Sequence, residues 1–406
     1  MDKLIGIIGL FILIGIAYLL SENKKKINWK LVGMGLCVQI IFGVLILKIP
    51  LGRAIFLKLS NGIAMLLDFT KEGTNFLFGG LMNPENVGFI FALQILPTII
   101  FFSAFISVLY HLGIMQILIS VVSKGIAKLL GTSGAETTSA VANIFLGINE
   151  APLVIKPYIK TMTRSELLAV MTGGMATVAG GVMAGYISMG VNAGHLLAAS
   201  IMAAPAGLII AKIMLPETEE PETKGKCDLT LDRNASGIIE AAAIGASDGL
   251  GLALNVGAML IAFVALIALL NSMISFIFGL FGMGYIDLSW IFGRLFAPIA
   301  YIMGIPASDI LVAGDLLGKK IVINEFVAYS GLSELIKSNS LNPKSIVILT
   351  YALCGFANFS SVALAVGGIG GLAPERRSDI AKLGLKALAG GSIAGFMTAT
   401  IAGILY

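Results

Sequence analysis

Long apolar runs separated by short polar segments dominate this chain of 406 residues. A helix that crosses a bilayer needs about 20 consecutive, mostly apolar residues. Eight runs meet or approach this length: residues 4–20, 31–49, 88–110, 167–189, 195–215, 250–273, 345–365 and 380–405. The pattern therefore predicts an all-α polytopic membrane protein with about eight transmembrane helices.

Two further regions, residues 128–160 and 304–337, are apolar but interrupted by charged residues, amides and prolines. Neither makes a continuous span. Non-helical backbone is tolerated at membrane depth only where it is buried in protein or faces a wet cavity. We therefore predict that both regions are re-entrant hairpins, which enter the membrane and leave it on the same side.

The remaining segments define the predicted domain organisation. Residues 54–85 mix charged and apolar positions, which is typical of an interfacial helix. We predict four parts: residues 1–115, mostly scaffold; 116–215, the first repeat half with hairpin 1; 216–245, a cytoplasmic loop; and 246–406, the second half with hairpin 2. Lys/Arg-rich short loops stay inside the cell. Applied to the basic loops, this rule predicts that both termini lie outside.

The tripeptide Ile-Asn-Glu occurs twice, at Ile148-Asn149-Glu150 and at Ile323-Asn324-Glu325. Each copy lies in an interrupted region and is followed by a span that has a small or polar interruption. Chance matches are common in membrane sequences of low diversity, but the shared order of features favours an inverted repeat. Corresponding interrupted segments in two halves are a sequence indicator of a transporter's binding site.

Composition supports a membrane protein. The chain is 57% hydrophobic and 12% charged, whereas a soluble domain carries about 25% charged residues. The net charge of +4 is dispersed and gives no indication of nucleic-acid binding. Cys37, Cys227 and Cys354 are widely spaced and predict neither disulfides nor metal ligands. No motif of a hydrolase, kinase or metalloenzyme stands out, so the chain is predicted not to be an enzyme.

The first copy of the repeat has the residues needed to break a helix and start another. Gly147 permits a sharp turn, Asn149 is a candidate helix cap, and Pro152 suits a first helical turn. Glu150 would then lie beside free N–H donors at the tip of hairpin 1. A first-turn carboxylate can also be purely structural, but intramembrane carboxylates mark functional sites by default.

The second copy places Glu325 between Asn324 and Phe326, and a polar cluster follows in the next span. The cluster consists of Phe356, Asn358, Ser360 and Ser361. An aromatic face beside amides, hydroxyls and carboxylates suits a flat, polyhydroxylated, uncharged ligand. Such polar groups also hold membrane helices together, an alternative that applies to Ser360 as strongly as function does.

Other polar residues in apolar surroundings are predicted to be structural. Glu136, Asp309 and Asp315 are expected near the water-facing ends of the hairpin arms. His111 and His195 are solitary near span ends, which favours packing or interface positions.

Three motifs resemble hallmarks of the concentrative nucleoside transporter family, which includes bacterial nucleoside symporters. The run N-I-F-L-G-I-N-E-A-P-L-V, which begins at Asn143, is similar to the family's first-hairpin motif, commonly G-Q-T-E-A-P-L. The runs N-E-F-V-A from Asn324 and C-G-F-A-N-F-S-S from Cys354 resemble the other two hallmarks. The motifs occur in the family's order, and the resemblance covers nearly the whole chain.

The resemblance implies secondary active import of nucleosides across the cell membrane by cation symport. It also implies a homotrimer whose transport domains move like elevators, without a cofactor. Its expected base-facing residues are Gly147, Ile148, Asn149, Glu150, Val182 and Phe356. The residues expected around the ribose are Glu325, Asn358 and Ser361, and Asn324 is also expected to bind the substrate. The implied sodium ligands are Asn143, the Leu146 carbonyl, Thr177 and the Val178 carbonyl.

One departure from the family motif bears on the cargo. The common Gln-Thr pair is Ile148-Asn149 here, which removes a hydrogen-bonding group from the base edge and adds apolar surface. We therefore expect a slight preference for purine nucleosides. Proton coupling through Glu150 or Glu325 is an alternative to sodium coupling. A nucleobase or another small polar metabolite is an alternative cargo, and an intramembrane carboxylate hydrolase is the alternative from a different class.

Overall fold

The computed structural model describes residues 2–83, 90–224 and 235–406, and these residues form helices and connecting segments without a β-strand. The N-terminal helices are α1 (Asp2–Leu19), α2 (Trp29–Leu47), α3 (Pro50–Phe78), α4 (Phe91–Gln94) and α5 (Leu96–His111). The next group comprises α6 (Ile114–Leu130), α7 (Gly134–Ala142), α8 (Lys156–Ile159), α9 (Arg164–Ala176), α10 (Gly180–Ser188) and α11 (Ala193–Met214). The last group comprises α12 (Ile238–Gly279), α13 (Leu288–Ile302), α14 (Ile310–Val322), α15 (Glu325–Lys337), α16 (Pro343–Leu353), α17 (Phe359–Leu372) and α18 (Arg377–Leu405).

The fold is an all-α polytopic membrane fold, as predicted. Among the described residues, six helical segments are long and apolar enough to cross a membrane: α2, α4 with α5, α9 with α10, α11, α12 and the segment that contains α18. The other two predicted spans correspond to the shorter apolar α1 and to the α16–α17 pair. The predicted interfacial helix corresponds to α3. Residues 84–89, which include the end of that predicted helix and the start of the predicted span 88–110, lie outside the described residues. Cys227 also lies outside them. The side of the membrane on which each loop lies stays a prediction.

The same order of elements occurs twice. In the first copy the order is a span (α5), a short helix (α6), hairpin 1, a broken span (α9–α10) and a closing span (α11). In the second copy, α12, α13, hairpin 2, α16–α17 and α18 follow the same order. The first copy has three crossings. Because three is odd, the second copy starts from the opposite side of the membrane, which makes the repeat inverted.

Both predicted hairpins are present, but they differ in regularity. Hairpin 2 consists of two α-helices, α14 and α15, separated by Ile323 and Asn324. In hairpin 1 the first arm is α7, whereas the second arm is the 3₁₀ helix Ala151–Ile155 followed by the single turn of α8. Pro152 and Pro157 lack N–H donors, so a continuous α-helical ladder cannot form across this arm.

The predicted helix cap at Asn149 is wrong. Glu150 occupies the N-cap position without a side-chain cap bond. The backbone N–H groups of Glu150 and Ala151 donate to the Gly147 carbonyl at 3.2 and 3.0 Å. These donors close a tight turn and are therefore not free to face a ligand.

Three elements go beyond the sequence analysis. Helices α6 and α13 were not predicted as separate elements, although α6 buries residues at helical spacing, such as Met115, Ile119 and Ile126. Helix α12 has 42 residues, or about 63 Å at 1.5 Å per residue. It begins at Ile238, so the final residues of the predicted loop 216–245 are helical.

Small residues bring α12 against α5. The buried stripe of α12 is spaced by four residues: Ala241, Gly245, Gly249, Ala253. A Cβ on Gly249 would lie 2.8 Å from both Ile100 Cα and Ser103 Cβ, so a side chain there would overlap α5. Ser107 Oγ also donates to the Ala241 carbonyl at 2.7 Å. Close approach of this kind is the usual source of helix association in membranes.

A buried ion cluster fixes the base of hairpin 1. Lys212 Nζ on α11 lies 2.8 Å from Glu136 Oε2 on α7 and 3.1 Å from Glu217 Oε2. Ser133 Oγ donates to Glu166 Oε1 at 2.5 Å, which joins the capping boxes that start α7 and α9. Glu136 thus has the structural contacts that were predicted for it. The cluster binds hairpin 1 to α9 and α11.

We expect Gly249→Leu to destabilise the protein by about 1–3 kcal/mol, because the inserted atoms overlap the α5 backbone. Thermal unfolding of the purified protein in detergent measures this effect. Gly251→Leu is the matched control, because a Cβ on Gly251 would meet nothing within 4 Å. Equal melting temperatures for the two variants would contradict the packing of α12 on α5.

Candidate functional site

The two broken spans cross at their breaks. Residues 177–179 separate α9 from α10, and residues 354–358 separate α16 from α17. The Phe356 N–H donates to the Thr177 carbonyl at 3.1 Å. A Cβ on Gly355 would lie 2.9 Å from the Met175 carbonyl oxygen, so the absence of a side chain permits this contact. Four half-helix ends therefore meet at one point inside the protein.

Glu325 lies beside this crossing and is buried, with 4% of the residue exposed. Its Oε2 accepts a hydrogen bond from Asn358 Nδ2 at 2.9 Å. Its Oε1 accepts one from Tyr186 Oη at 3.2 Å. The carboxylate thus joins three elements, namely α15 on hairpin 2 and the second halves of the two broken spans.

Two helix N-termini point towards this carboxylate. Asn324 caps α15 by accepting from the Val327 N–H at 2.9 Å. Asn358 caps α17 by accepting from the Ser361 N–H at 3.0 Å and from Ser361 Oγ at 3.1 Å. The positive end of a helix stabilises a nearby anion. A buried carboxylate at this position is therefore electrostatically favoured, although burial alone would disfavour it.

The described hydrogen bonds occupy both polar atoms of the Asn358 side chain. Its Oδ1 accepts from Ser360 Oγ as well as from Ser361, and its Nδ2 is engaged by Glu325. Ser360 therefore makes a structural hydrogen bond, which was the predicted alternative to a functional role. Asn324 uses its Oδ1 as the cap, and its Nδ2 group has no partner among the described hydrogen bonds.

Aromatic rings pack around Tyr186, the residue that donates to Glu325. The Tyr186 ring stacks on Tyr329 with a centroid distance of 4.2 Å and meets Phe326 edge-on at 4.8 Å. Tyr186 and Tyr329 are fully buried. Tyr329 Oη donates to the Thr350 carbonyl at 2.7 Å. The group forms a rigid wall between α10, hairpin 2 and α16.

The tip of hairpin 1 lies on the same crossing. Phe145 accepts a hydrogen bond from the Gly180 N–H at 3.0 Å, which places the tip at the α9–α10 break. Ile148 packs on Gly174, where a Cβ would lie 2.8 Å from Ile148 Cγ1. Asn149 Oδ1 lies against Gly368 of α17 and has no hydrogen-bond partner among the described residues.

Glu150 contacts its own turn. Its Oε2 lies where a Cβ on Gly147 would be placed, so a larger residue at this position would displace the Glu150 side chain. A Cβ on Gly147 would also lie 3.3 Å from Ala179 Cβ. Glu150 itself is exposed. Glu150 and Glu325 are not bonded to one another. They approach the crossing from the two hairpins, Glu150 near Ala179 and Glu325 through Tyr186 and Asn358.

The remaining expected residues lie on the same elements. Val182 is buried on α10, and Phe356 is half-buried in the α16–α17 break. Leu146 is in the hairpin 1 turn, and Val178 is in the α9–α10 break. Outside the site, His195 Nδ1 lies 3.4 Å from Tyr351 Oη, which fits its predicted packing role.

A buried acceptor next to the α9–α10 break has no partner. Asn143 Nδ2 donates to the Ser139 carbonyl at 2.9 Å, whereas Asn143 Oδ1 is buried and unbonded among the described residues. Asn143 lies beside Gly173, whose carbonyl accepts from Thr177 Oγ1 at 3.0 Å. An unpaired buried oxygen is costly unless something binds it. Oxygen donors at the C-terminal end of a half-helix suit a hard monovalent cation.

Two buried residues, Tyr186 on α10 and Lys320 on hairpin 2, were not predicted from the sequence to have a role near the site. Tyr186 lies within an apolar run, and nothing in its spacing distinguishes it from a packing residue. Lys320 is one of the charged residues that interrupt residues 304–337. It is 1% exposed, and its Nζ lies 5.9 Å from the centroid of the Phe396 ring.

Sequence profiles of known families decide the assignment. Residues 8–81 match a profile described as "Na+ dependent nucleoside transporter N-terminus", and residues 195–403 match its C-terminus counterpart. Residues 92–193 match a profile described as "Nucleoside recognition". The chain belongs to the Na+-dependent nucleoside transporter family.

Full-length relatives agree with this family. The chain is 50% identical to the uncharacterized transporter YutK of Bacillus subtilis, with 100% of both chains covered. It is 45% identical to the nucleoside permease NupC of Helicobacter pylori, with 99% of this chain and 98% of the relative covered.

Solved structures of a family member superpose closely. The structure of CNTnw in an inward-facing substrate-bound state has a TM-score of 0.95 and 46% identity, and covers 100% of this chain and 98% of its own. A CNTnw variant in an outward-facing state gives the same four values. The resemblance to concentrative nucleoside transporters is thereby confirmed. Members of this nucleoside transporter family are permeases, so the prediction that the chain is not an enzyme is confirmed and the hydrolase alternative is excluded.

Proposed function

We propose that the protein imports nucleosides across the cell membrane by sodium symport, with a slight preference for purine nucleosides. The observation that carries this proposal is the buried carboxylate of Glu325, held by Tyr186 and Asn358. An ionised carboxylate has about four acceptor positions. The described hydrogen bonds use two of these positions, which leaves about two for the hydroxyl groups of a ligand.

A ribose supplies the hydroxyl pair that this arrangement needs. Asn358 and Ser361 flank Glu325, and the Asn324 amide group makes no donor contact among the described hydrogen bonds. The donors and acceptors come from two helix N-termini, so they are fixed before the ligand binds. A nucleobase without ribose would leave the buried carboxylate without these partners, which is unfavourable. The site therefore favours a nucleoside over a free base.

The base would lie towards the tip of hairpin 1. Ile148 and Val182 supply apolar surface, Phe356 supplies an aromatic ring, and Asn149 and Glu150 supply polar atoms. Ile148 offers no hydrogen bond to the base edge. A site that lacks such a bond discriminates little against bases that lack its complement, whereas a larger purine gains apolar contact.

Sodium would bind where Asn143 Oδ1 lacks a partner. Thr177 and the carbonyls of Leu146 and Val178 complete a set of oxygen ligands on hairpin 1 and the α9–α10 break. Thr177 also accepts the Phe356 N–H through its carbonyl. A cation there would stabilise the break on which the base-facing residues depend, and this contact would couple ion binding to nucleoside binding.

Transport would proceed by an elevator movement of the hairpins and broken spans against a scaffold. The scaffold would include most of residues 1–115 together with α12, while the rest of 116–215 and 246–406 would carry the site. Gly180 and Gly181 of α10 face Phe102 and Ser103 of α5, so this boundary has few interlocking side chains. The inward- and outward-facing states of CNTnw support alternating access.

Exposed apolar side chains on α12 support assembly within the membrane. Leu254, Ile261 and Phe276 are 63%, 77% and 71% exposed in the single chain. Lipid and neighbouring subunits would cover these residues in a homotrimer in the cell membrane.

Glu325→Gln is expected to weaken nucleoside binding by at least about tenfold, because hydrogen bonds to a charged group contribute about 1.5–3 kcal/mol each. Calorimetric titration of inosine and of hypoxanthine into the detergent-solubilised protein measures both the loss and the need for ribose. Glu334→Gln is the control, since Glu334 is an exposed carboxylate on the same helix. Unchanged inosine affinity in Glu325→Gln, or equal affinity of the unmodified protein for hypoxanthine, would contradict the ribose assignment.

Thr177→Val should raise the sodium concentration for half-maximal uptake by about tenfold, because one oxygen ligand worth about 1.4 kcal/mol is lost. Uptake into proteoliposomes under separate sodium and proton gradients provides the measurement. Thr350→Val serves as control, because Thr350 Oγ1 is also buried and also bonds back to the carbonyl four residues earlier. Uptake that follows a pH gradient and ignores sodium would refute the sodium assignment.

In uptake competition, inosine and guanosine should inhibit more strongly than uridine. Ile148→Gln should move the preference towards uridine by several-fold, since an amide restores a partner for the base edge; one such contact is worth about 1 kcal/mol. Ile148→Leu keeps the site apolar and should keep the purine preference. Stronger competition by uridine in the unmodified protein would refute the proposal.

A further inference from the structure

The hydroxyl of Tyr186 is the only contact of Glu325 Oε1 among the described hydrogen bonds. We propose that Tyr186 is a positioning residue, which fixes the direction of the Glu325 carboxylate so that its free acceptor positions face the ribose hydroxyls. This inference rests on the proposed function and assigns to it a residue that does not itself contact the cargo.

The geometry gives Tyr186 one role. A phenol has a single proton to donate, and at 3.2 Å that proton is directed to Oε1. Asn358 Nδ2 holds the other oxygen at 2.9 Å. Together the two donors prevent rotation of the carboxylate about its last bond. Lys320 is also buried on hairpin 2, but the described residues show no hydrogen bond or ion pair between Lys320 and Glu325.

The Tyr186 ring is itself immobile. Tyr329 stacks on one face at an interplanar angle of 29°, and Phe326 meets it at 64°. The ring is fully buried, and the neighbouring Gly185 lies against the Phe326 ring. A hydroxyl on such a ring cannot follow the carboxylate if the carboxylate turns. It therefore selects one orientation.

This link joins the two repeat halves directly. Tyr186 belongs to the first half and Glu325 to the second. The ribose-binding carboxylate of hairpin 2 is thus aligned by the broken span that also carries Val182 and adjoins the proposed sodium ligands. Alignment of Glu325 would depend on the position of α10.

Tyr186→Phe removes the hydroxyl and keeps the ring. We expect inosine to bind this variant about tenfold more weakly than the unmodified protein, and a factor of ten corresponds to about 1.4 kcal/mol. The analogue that lacks the hydroxyl accepted by Glu325, either 2′-deoxyinosine or 3′-deoxyinosine, should lose less than about threefold in affinity. The ratio of the inosine affinity to the affinity of at least one deoxy analogue should therefore decrease. Calorimetric titration of the full-length protein in saturating sodium measures all three ligands.

Tyr329→Phe is the matched control. It removes a hydroxyl from the same aromatic group, but that hydroxyl donates to the Thr350 carbonyl instead of Glu325. A structural loss would affect inosine and its deoxy analogues equally, and thermal unfolding reports it separately. Tyr329→Phe should thus leave the inosine-to-deoxyinosine ratios unchanged.

The positioning role is overturned if Tyr186→Phe keeps both ratios of the unmodified protein, or if Tyr329→Phe narrows them to the same extent. A different result, no nucleoside binding by the unmodified protein, would overturn the proposed function and this inference with it. The two failures are therefore distinguishable.

Discussion

The site depends on the burial of one carboxylate. Placing an ionised carboxyl group inside a membrane protein is unfavourable unless hydrogen-bond donors and local dipoles replace water. Around Glu325 these are the Tyr186 hydroxyl, the Asn358 amide and the N-termini of α15 and α17. Because these groups belong to three separate elements, the carboxylate also determines how hairpin 2 and the broken spans fit together.

Broken helices inside a membrane require that the freed backbone groups find partners. Here the Phe356 N–H of one break bonds to the Thr177 carbonyl of the other, and the Gly180 N–H at the start of α10 bonds to the Phe145 carbonyl of hairpin 1. Glycines make this possible. Gly355 brings one break against the other, and Gly174 allows Ile148 to pack on α9. The same contacts that hold the breaks together therefore place the residues proposed to face the cargo at the crossing.

Apolar run length and charge position predicted most of the fold. The eight spans, both hairpins and the repeat follow from burial rules that act locally, and the repeated Ile-Asn-Glu indicated where the halves correspond. Other features depend on tertiary contacts. Helix α12 extends well beyond its most apolar part because α5 covers its small-residue stripe, and Asn149 does not cap a helix because Pro152 and Pro157 prevent a regular one. Glu325 could be singled out as a costly charge. Tyr186 could not, because a tyrosine in an apolar run has no distinguishing pattern until its partner is placed in space.

The most direct test of this account is a structure of the protein determined with bound inosine and sodium. We predict that the ribose hydroxyls lie within hydrogen-bond distance, about 3 Å, of the Glu325 carboxylate, with Tyr186 still bonded to Oε1 and the base next to Ile148. A nucleoside bound elsewhere, or bound with its ribose away from Glu325, would contradict the central claim.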